Sequence, residues 1–234
     1  MTIMATMAIK GAFILGSESR QVIGGESWRK SFQEKDYSNK NFRIHPSEFP
    51  KTFLLGERYG LNYSGFGFTD TWRFEDTLEE LQQMAHSNKY TFYELAICLN
   101  DKLKHALNGQ SFEFHLVGFP EGRPVLGECN DGELLFYEGK ERNTAMDRLV
   151  MAGMVDIIEK LCTGELLDYE RMTIERAVNF LYLTITAGCK YLEYFTKYPE
   201  VSGGPINILV ITPDKCEFYK FPEFNVFHKG GVLS

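Results

Sequence analysis

Thr2-Ile-Met-Ala-Thr-Met-Ala-Ile-Lys-Gly-Ala-Phe-Ile-Leu-Gly-Ser-Glu-Ser-Arg20 is the stretch whose reading decides the fold. From Thr6 onward it reads as two short apolar strands with Gly11 between them, the spacing of a tight hairpin. Sheet therefore comes first. From Arg20 to about Asn41 the text turns polar and holds Gly24-Gly25 and Trp28, which predicts an exposed loop. Asn41-Phe-Arg-Ile44 and Lys51-Thr-Phe-Leu-Leu-Gly-Glu57 read as two more strands around the turn His45-Pro46-Ser47. Tyr63-Ser-Gly-Phe-Gly-Phe-Thr-Asp70 follows as a glycine-rich junction.

Helical spacing begins after Thr69-Asp70, a candidate cap, with Trp72, Leu78, Leu81 and Ala85 over 71–86. A second helix is predicted over 91–107, where Leu95, Cys98, Leu99, Leu103 and Leu107 form a three-four stripe. Phe112 to Gly118 and Glu133 to Tyr137 flank the turn signal Asn130-Asp-Gly132, which predicts a meander of about three strands. Two further helices are expected over about 145–163 and 171–196. Pro205 to Thr212 and Cys216 to Phe221 close the pattern as a hairpin around Pro213-Asp214-Lys215. With no linker, repeat or low-complexity block, residues 1–234 read as a single domain. Strand runs separated by helix pairs predict an α+β fold: two antiparallel sheets flanked by helices, a four-layer α-β-β-α sandwich.

Composition narrows the function. The 234 residues carry a net charge of −7 and are 44% hydrophobic and 24% charged, an ordinary globular balance with no basic stripe for nucleic acid. No apolar run of about 18 residues is present to span a bilayer. Cys98, Cys129, Cys162, Cys189 and Cys216 contain no CxxC pair, so free thiols in a reducing, cytoplasmic compartment are expected. His45, His86, His105, His115 and His228 form no HExxH and no i, i+4 pair, so no metal is expected. Phosphate-binding and GxSxG motifs are absent as well, and no cofactor is expected. The 14% aromatic content reads as core and interface.

One feature carries chemistry. Thr2 directly follows Met1, and a small second residue permits removal of the initiator methionine. Thr2 would then hold a free α-amino group beside its hydroxyl. An α-amino group titrates at about 7.7–8.0, so it can take the hydroxyl proton near neutral pH, making nucleophile and base one residue.

The segment Thr2 to Arg20, with its order of nucleophile, strand, glycine turn, apolar strand, acid and arginine, resembles the opening of proteasome-type subunits and the related bacterial protease subunits, the N-terminal-nucleophile hydrolases. Lys40-Asn-Phe-Arg-Ile44 is similar to that family's Lys-x-Phe-x-Ile, and Tyr63-Ser-Gly-Phe-Gly67 to its glycine junction. Arg171 to Val178 and Ser202-Gly-Gly-Pro-Ile-Asn-Ile-Leu-Val-Ile-Thr212 resemble its penultimate helix and its Ser-Gly-Gly strand. The resemblance implies that Thr2 is the catalytic threonine, that Glu18 stands where the family has aspartate, and that Lys40 is the lysine beside the nucleophile. It implies an oxyanion donor at Gly65, with Gly67 as the alternative, and Ser202 as the residue orienting the terminal amine. It further implies a threonine-type peptidase acting on peptide or unfolded-protein substrates, assembled as a homo-oligomeric ring that an unfoldase could serve.

The chain departs from the family at Pro199, where an aspartate is usual, and at Glu141 to Thr144, where Ser-Gly-Ser is usual. Those departures fit the alternative, a catalytically inactive structural or scaffolding subunit of the same fold. A small-molecule amidase using the same terminus is the weaker rival.

Overall fold

The computed structural model describes residues 2–24, 42–44, 48–69, 71–139, 148–153, 167–169, 171–195 and 203–221. The opening hairpin forms as read: β1 (Ile3–Ile9) and β2 (Ala12–Glu18) pair antiparallel from Ile9 opposite Ala12 to Met4 opposite Ser17. Gly11 makes the turn at φ 76°, a conformation that costs a residue with a Cβ.

Β-strands then follow in quick succession: β3 (Val22–Gly24), β4 (Phe42–Ile44), β5 (Thr52–Leu55) and β6 (Tyr59–Ser64). The junction expected from Tyr63 is thus strand as far as Ser64. Helices α1 (Phe74–His86) and α2 (Phe92–Leu107) lead to the meander β7 (Glu113–Gly118), β8 (Val125–Asn130) and β9 (Glu133–Glu138). After these come β10 (Arg148–Gly153), α3 (Ile174–Phe195), β11 (Ile206–Ile211) and β12 (Cys216–Phe218).

Among the described residues two five-stranded sheets result, in the orders β10-β1-β2-β11-β12 and β5-β6-β7-β8-β9, while β3 and β4 pair with each other. Between the two sheets Ala8, Phe13, Leu15, Val117, Leu126, Leu209 and Ile211 form one buried cluster. Each fully buried Leu or Phe of such a layer contributes about 1.5–3 kcal/mol. Helix α3 covers the outer face of the first sheet, placing Ala177, Val178 and Leu181 against Ala5, Met7 and Ile14. Helices α1 and α2 cover the second, with Phe74, Leu81, Leu95 and Leu99 against Leu61, Phe114 and Leu116. The four-layer α-β-β-α sandwich is therefore the observed architecture.

Local chemistry explains the boundaries. Thr91 and Glu94 form a capping box at the start of α2, and Asn108 in the left-handed region ends it. Helix α1 starts at Phe74 rather than after Thr69-Asp70. Phe74 stacks flat on Tyr63 at 3.9 Å, and its N–H donates to the Gly67 carbonyl at 2.8 Å, so tertiary contacts set that start.

The helix expected over 145–163 is corrected at 148–153, which is strand β10, running antiparallel to β1 from Ile3 opposite Gly153 to Ala8 opposite Arg148. A short apolar run cannot be told from a helix by periodicity alone. Here the backbone groups on the outer edge of β1 supply the deciding partner. The rest of that range lies outside the described residues. Among the described residues no helix is long and apolar enough to cross a membrane, and no cluster of His, Cys, Asp or Glu could hold a metal ion.

Candidate active site

Thr2 sits at the head of β1 and is buried. Thr6 of the same strand reaches His115 on β7, so the even positions of β1 face the second sheet, and Thr2 shares their parity. Met4 lies opposite Ser17, and the same register carries Thr2 to the level of Ser19, next to Glu18.

Glu18 ends β2 with a fully buried carboxylate that is ion-paired to Lys51 Nζ through Oε1. Its Oε2 accepts the backbone N–H groups of Arg20 at 2.8 Å and Gly203 at 3.2 Å. Lys51 Nζ also donates to the Arg20 carbonyl at 2.8 Å. The Gly203 carbonyl in turn accepts from the N–H groups of Ser19 at 3.2 Å and Arg20 at 2.9 Å. Gly203 adopts φ 141°, and this backbone exchange locks the Gly203-Gly204 turn to the end of β2. One carboxylate thus ties together the strand beside Thr2, the turn before β11, and the lysine at the head of β5. Burial pulls the Lys51 ammonium below its ordinary value, and the Glu18 charge opposes that fall.

Of the residues expected from the sequence, Thr2 and Glu18 come to the same end of the first sheet, and Lys51 joins them there. Lys40 and Ser202 lie outside the described residues, as do Pro199 and Glu141 to Thr144. The sequence reading did not single out Lys51. Its signal was present: Lys51-Thr-Phe-Leu-Leu55 repeats the Lys-x-Phe pattern of Lys40-Asn-Phe-Arg-Ile44. The strand after Lys51 joins the sandwich, whereas among the described residues β4 pairs with β3 alone.

Gly65 follows β6 in a turn packed beneath Tyr63. A Cβ at Gly65 would lie 2.6 Å from Tyr63 Oη and 3.1 Å from Phe112 Cβ, while one at Gly67 would meet only Gln21 Nε2, at 3.5 Å. Tyr63 Oη donates to the Phe66 carbonyl at 2.6 Å, and burial pushes the phenol well above its ordinary range, so it stays neutral. The turn is therefore rigid at Gly65 and roomy at Gly67.

The arrangement places a hydroxyl-bearing residue, a buried ammonium held by a carboxylate, and a glycine turn around one end of the sandwich. These are the residue types that acyl transfer uses: a hydroxyl, a positive charge and backbone N–H donors.

No family model and no curated protein matches this chain. Among solved structures, the fold is similar to that of the Anbu (Gly-1) mutant from Hyphomicrobium sp. strain MC1. The TM-score is 0.59 at 15% identity, over 94% of this chain and 85% of that one. At that identity the likeness is one of fold, the proteasome-like sandwich.

Proposed function

We propose that this chain, as one proteasome-like domain, is a threonine-type hydrolase that cleaves peptide bonds with Thr2 as an N-terminal nucleophile exposed by loss of Met1. The observation that carries the proposal is the buried Glu18–Lys51 pair, tied to the Gly203 N–H at the end of the hairpin that presents Thr2. A fully buried ion pair is a poor device for stability alone, since well-packed apolar residues serve as well or better. Its placement next to a candidate nucleophile favours a chemical role.

In this mechanism the Thr2 α-amine takes the Oγ proton, directly or through a water, and Oγ attacks the substrate carbonyl. The Lys51 charge lowers the cost of the developing alkoxide. Backbone N–H groups of the turn at Gly65 or Gly67 would stabilise the oxyanion, a term of about 2.7–4 kcal/mol per donor. Collapse returns the proton to the leaving amine and leaves an ester on Thr2, which water hydrolyses. Lys51 takes the part that the resemblance assigned to Lys40, and Ser202, next to the anchored Gly203, orients the amine.

The second reading is a non-cleaving structural subunit in which the ion pair only staples the strands; the burial of Thr2 favours it. In either case, exposed Leu183, Tyr191 and Tyr194 on α3 offer a surface for assembly into a homo-oligomeric ring.

Intact-mass spectrometry with a threonine-reactive epoxyketone or β-lactone decides between them. Loss of Met1 and one adduct mapped to Thr2, absent in Thr2→Ala of unchanged melting temperature, supports the hydrolase. Retained Met1 or an unreactive free Thr2 supports the structural subunit.

A further inference from the structure

A second set of buried polar contacts runs beside the ion pair and is not used by the mechanism above. Ser17 Oγ lies 2.7 Å from Thr52 Oγ1, and Thr52 Oγ1 donates to Asn62 Oδ1 at 2.7 Å. Asn62 Nδ2 donates to the Ala5 carbonyl at 3.0 Å and to Thr6 Oγ1 at 3.1 Å, and approaches the Gly16 carbonyl at 3.5 Å. Thr6 Oγ1 meets His115 Nδ1 at 2.9 Å. All five side chains are buried.

Donor inventory gives this chain a direction. Thr52 spends its single proton on Asn62, so Ser17 donates to Thr52; Thr6 Oγ1 accepts from Asn62, and toward His115 Nδ1 it donates or accepts according to the ring tautomer. His115 can accept only as a neutral ring. Burial holds it there, with a pKa of about 3.

The chain sits against the proposed site in a particular way. Glu18 follows Ser17, and Lys51 precedes Thr52, so the hydrogen bond Ser17–Thr52 and the ion pair Glu18–Lys51 join the same two segments at adjacent positions. Asn62 adds links from β6 to both β1 and β2. Such a network has no clear advantage over apolar packing in stability. It does specify register in an interface that slippery apolar contacts leave free.

We propose that Thr52 and Asn62 are positioning residues for the reaction at Thr2: their bonds to Ser17, Ala5 and Thr6 hold the head of β5 against the hairpin and thereby set where Lys51 Nζ stands. The proposal rests on the hydrolase reading above.

The test compares Thr52→Val, which keeps shape and loses the hydroxyl, with Thr52→Ser, which keeps the hydroxyl and loses a methyl. Two quantities are read: the rate of Thr2 labelling by the epoxyketone against pH, and the titration of Lys51 Nζ by nitrogen-15 lysine NMR. Thr52→Val is expected to slow labelling about tenfold or more and to displace the midpoint of the pH profile, as a small misplacement of a catalytic group does. Thr52→Ser should stay within about threefold of wild type. Val labelling like wild type with an unmoved profile would overturn the proposal, as would Ser impaired as much as Val, which marks a packing role. Should wild type itself never label, the hydrolase reading fails by itself, and the Nζ titration still decides: a Lys51 signal unmoved in Thr52→Val refutes positioning. If Thr52→Val does not fold by circular dichroism, Ser17→Ala removes the terminal donor and carries the same expectation.

Discussion

Lys51 and Glu18, at the head of β5 and the end of β2, form an ion pair inside the protein, and the same carboxylate accepts the N–H groups of Arg20 and Gly203. Three stretches distant in sequence, the end of β2, the head of β5 and the turn before β11, therefore share one charge. Removing the lysine takes away the ion-pair partner of that buried carboxylate and leaves its two backbone donors. Lys51→Met is expected to cost about 3–5 kcal/mol, read as a lowered urea midpoint. A change below about 1 kcal/mol would mean that the pair contributes little to the fold.

The two lysines of the repeated Lys-x-Phe pattern should behave differently. Lys51→Arg keeps a positive charge but cannot match the ammonium's compact contacts with Glu18 and the Arg20 carbonyl. Its labelling at Thr2 should fall about a hundredfold, while Lys40→Ala should label at the wild-type rate. The reverse order in a mass-spectrometric time course would return the role to Lys40.

His115 makes stability depend on pH. Its folded pKa is about 3 against an ordinary 6.5, so below 6.5 the unfolded chain binds a proton that the folded chain refuses. The stabilisation is fully present above 6.5 and is lost progressively as pH falls toward 3, up to a few kcal/mol. His115→Gln should flatten the urea midpoint between pH 6.5 and 4. An equally steep profile in that variant would assign the acid sensitivity elsewhere.

The two glycines of the turn after β6 offer a paired control. Gly65→Ala places a Cβ 2.6 Å from Tyr63 Oη, which must move off its stack on Phe74, whereas Gly67→Ala meets only Gln21 Nε2 at 3.5 Å. The first should cost about 1–3 kcal/mol and the second within about 0.5 kcal/mol. Labelling at Thr2 lost in Gly67→Ala without a change in melting temperature would place the oxyanion donor at Gly67.

Much of the fold was legible because its signals are local. The Gly11 hairpin, the α2 stripe with its Thr91 cap, and the Asn130-Asp131-Gly132 turn each depend on residues a few positions apart. Two elements were misread, Val22–Gly24 and 148–153, and each takes its conformation from pairing with a strand well away in sequence, β4 and the edge of β1. Of the residues proposed for the site, Thr2 and Glu18 were readable as neighbours because they bracket one hairpin. Asn62 was not, since nothing in Tyr59 to Ser64 indicates that its amide will cross to another sheet.

By itself, then, the sequence determined most of the order of strands and helices, β3 and β10 excepted, the position of a threonine after Met1, and an acid at the end of the second strand. Short-range sterics, capping and periodicity act within a turn or two, and they leave their marks in neighbouring letters. Which lysine meets Glu18, which strand closes the edge of β1, and which polar groups share the layer between the sheets were decided only by tertiary structure. Two identical Lys-x-Phe patterns have the same local energies; they differ in where the following strand pairs, β5 with β6 in the sandwich and β4 with β3.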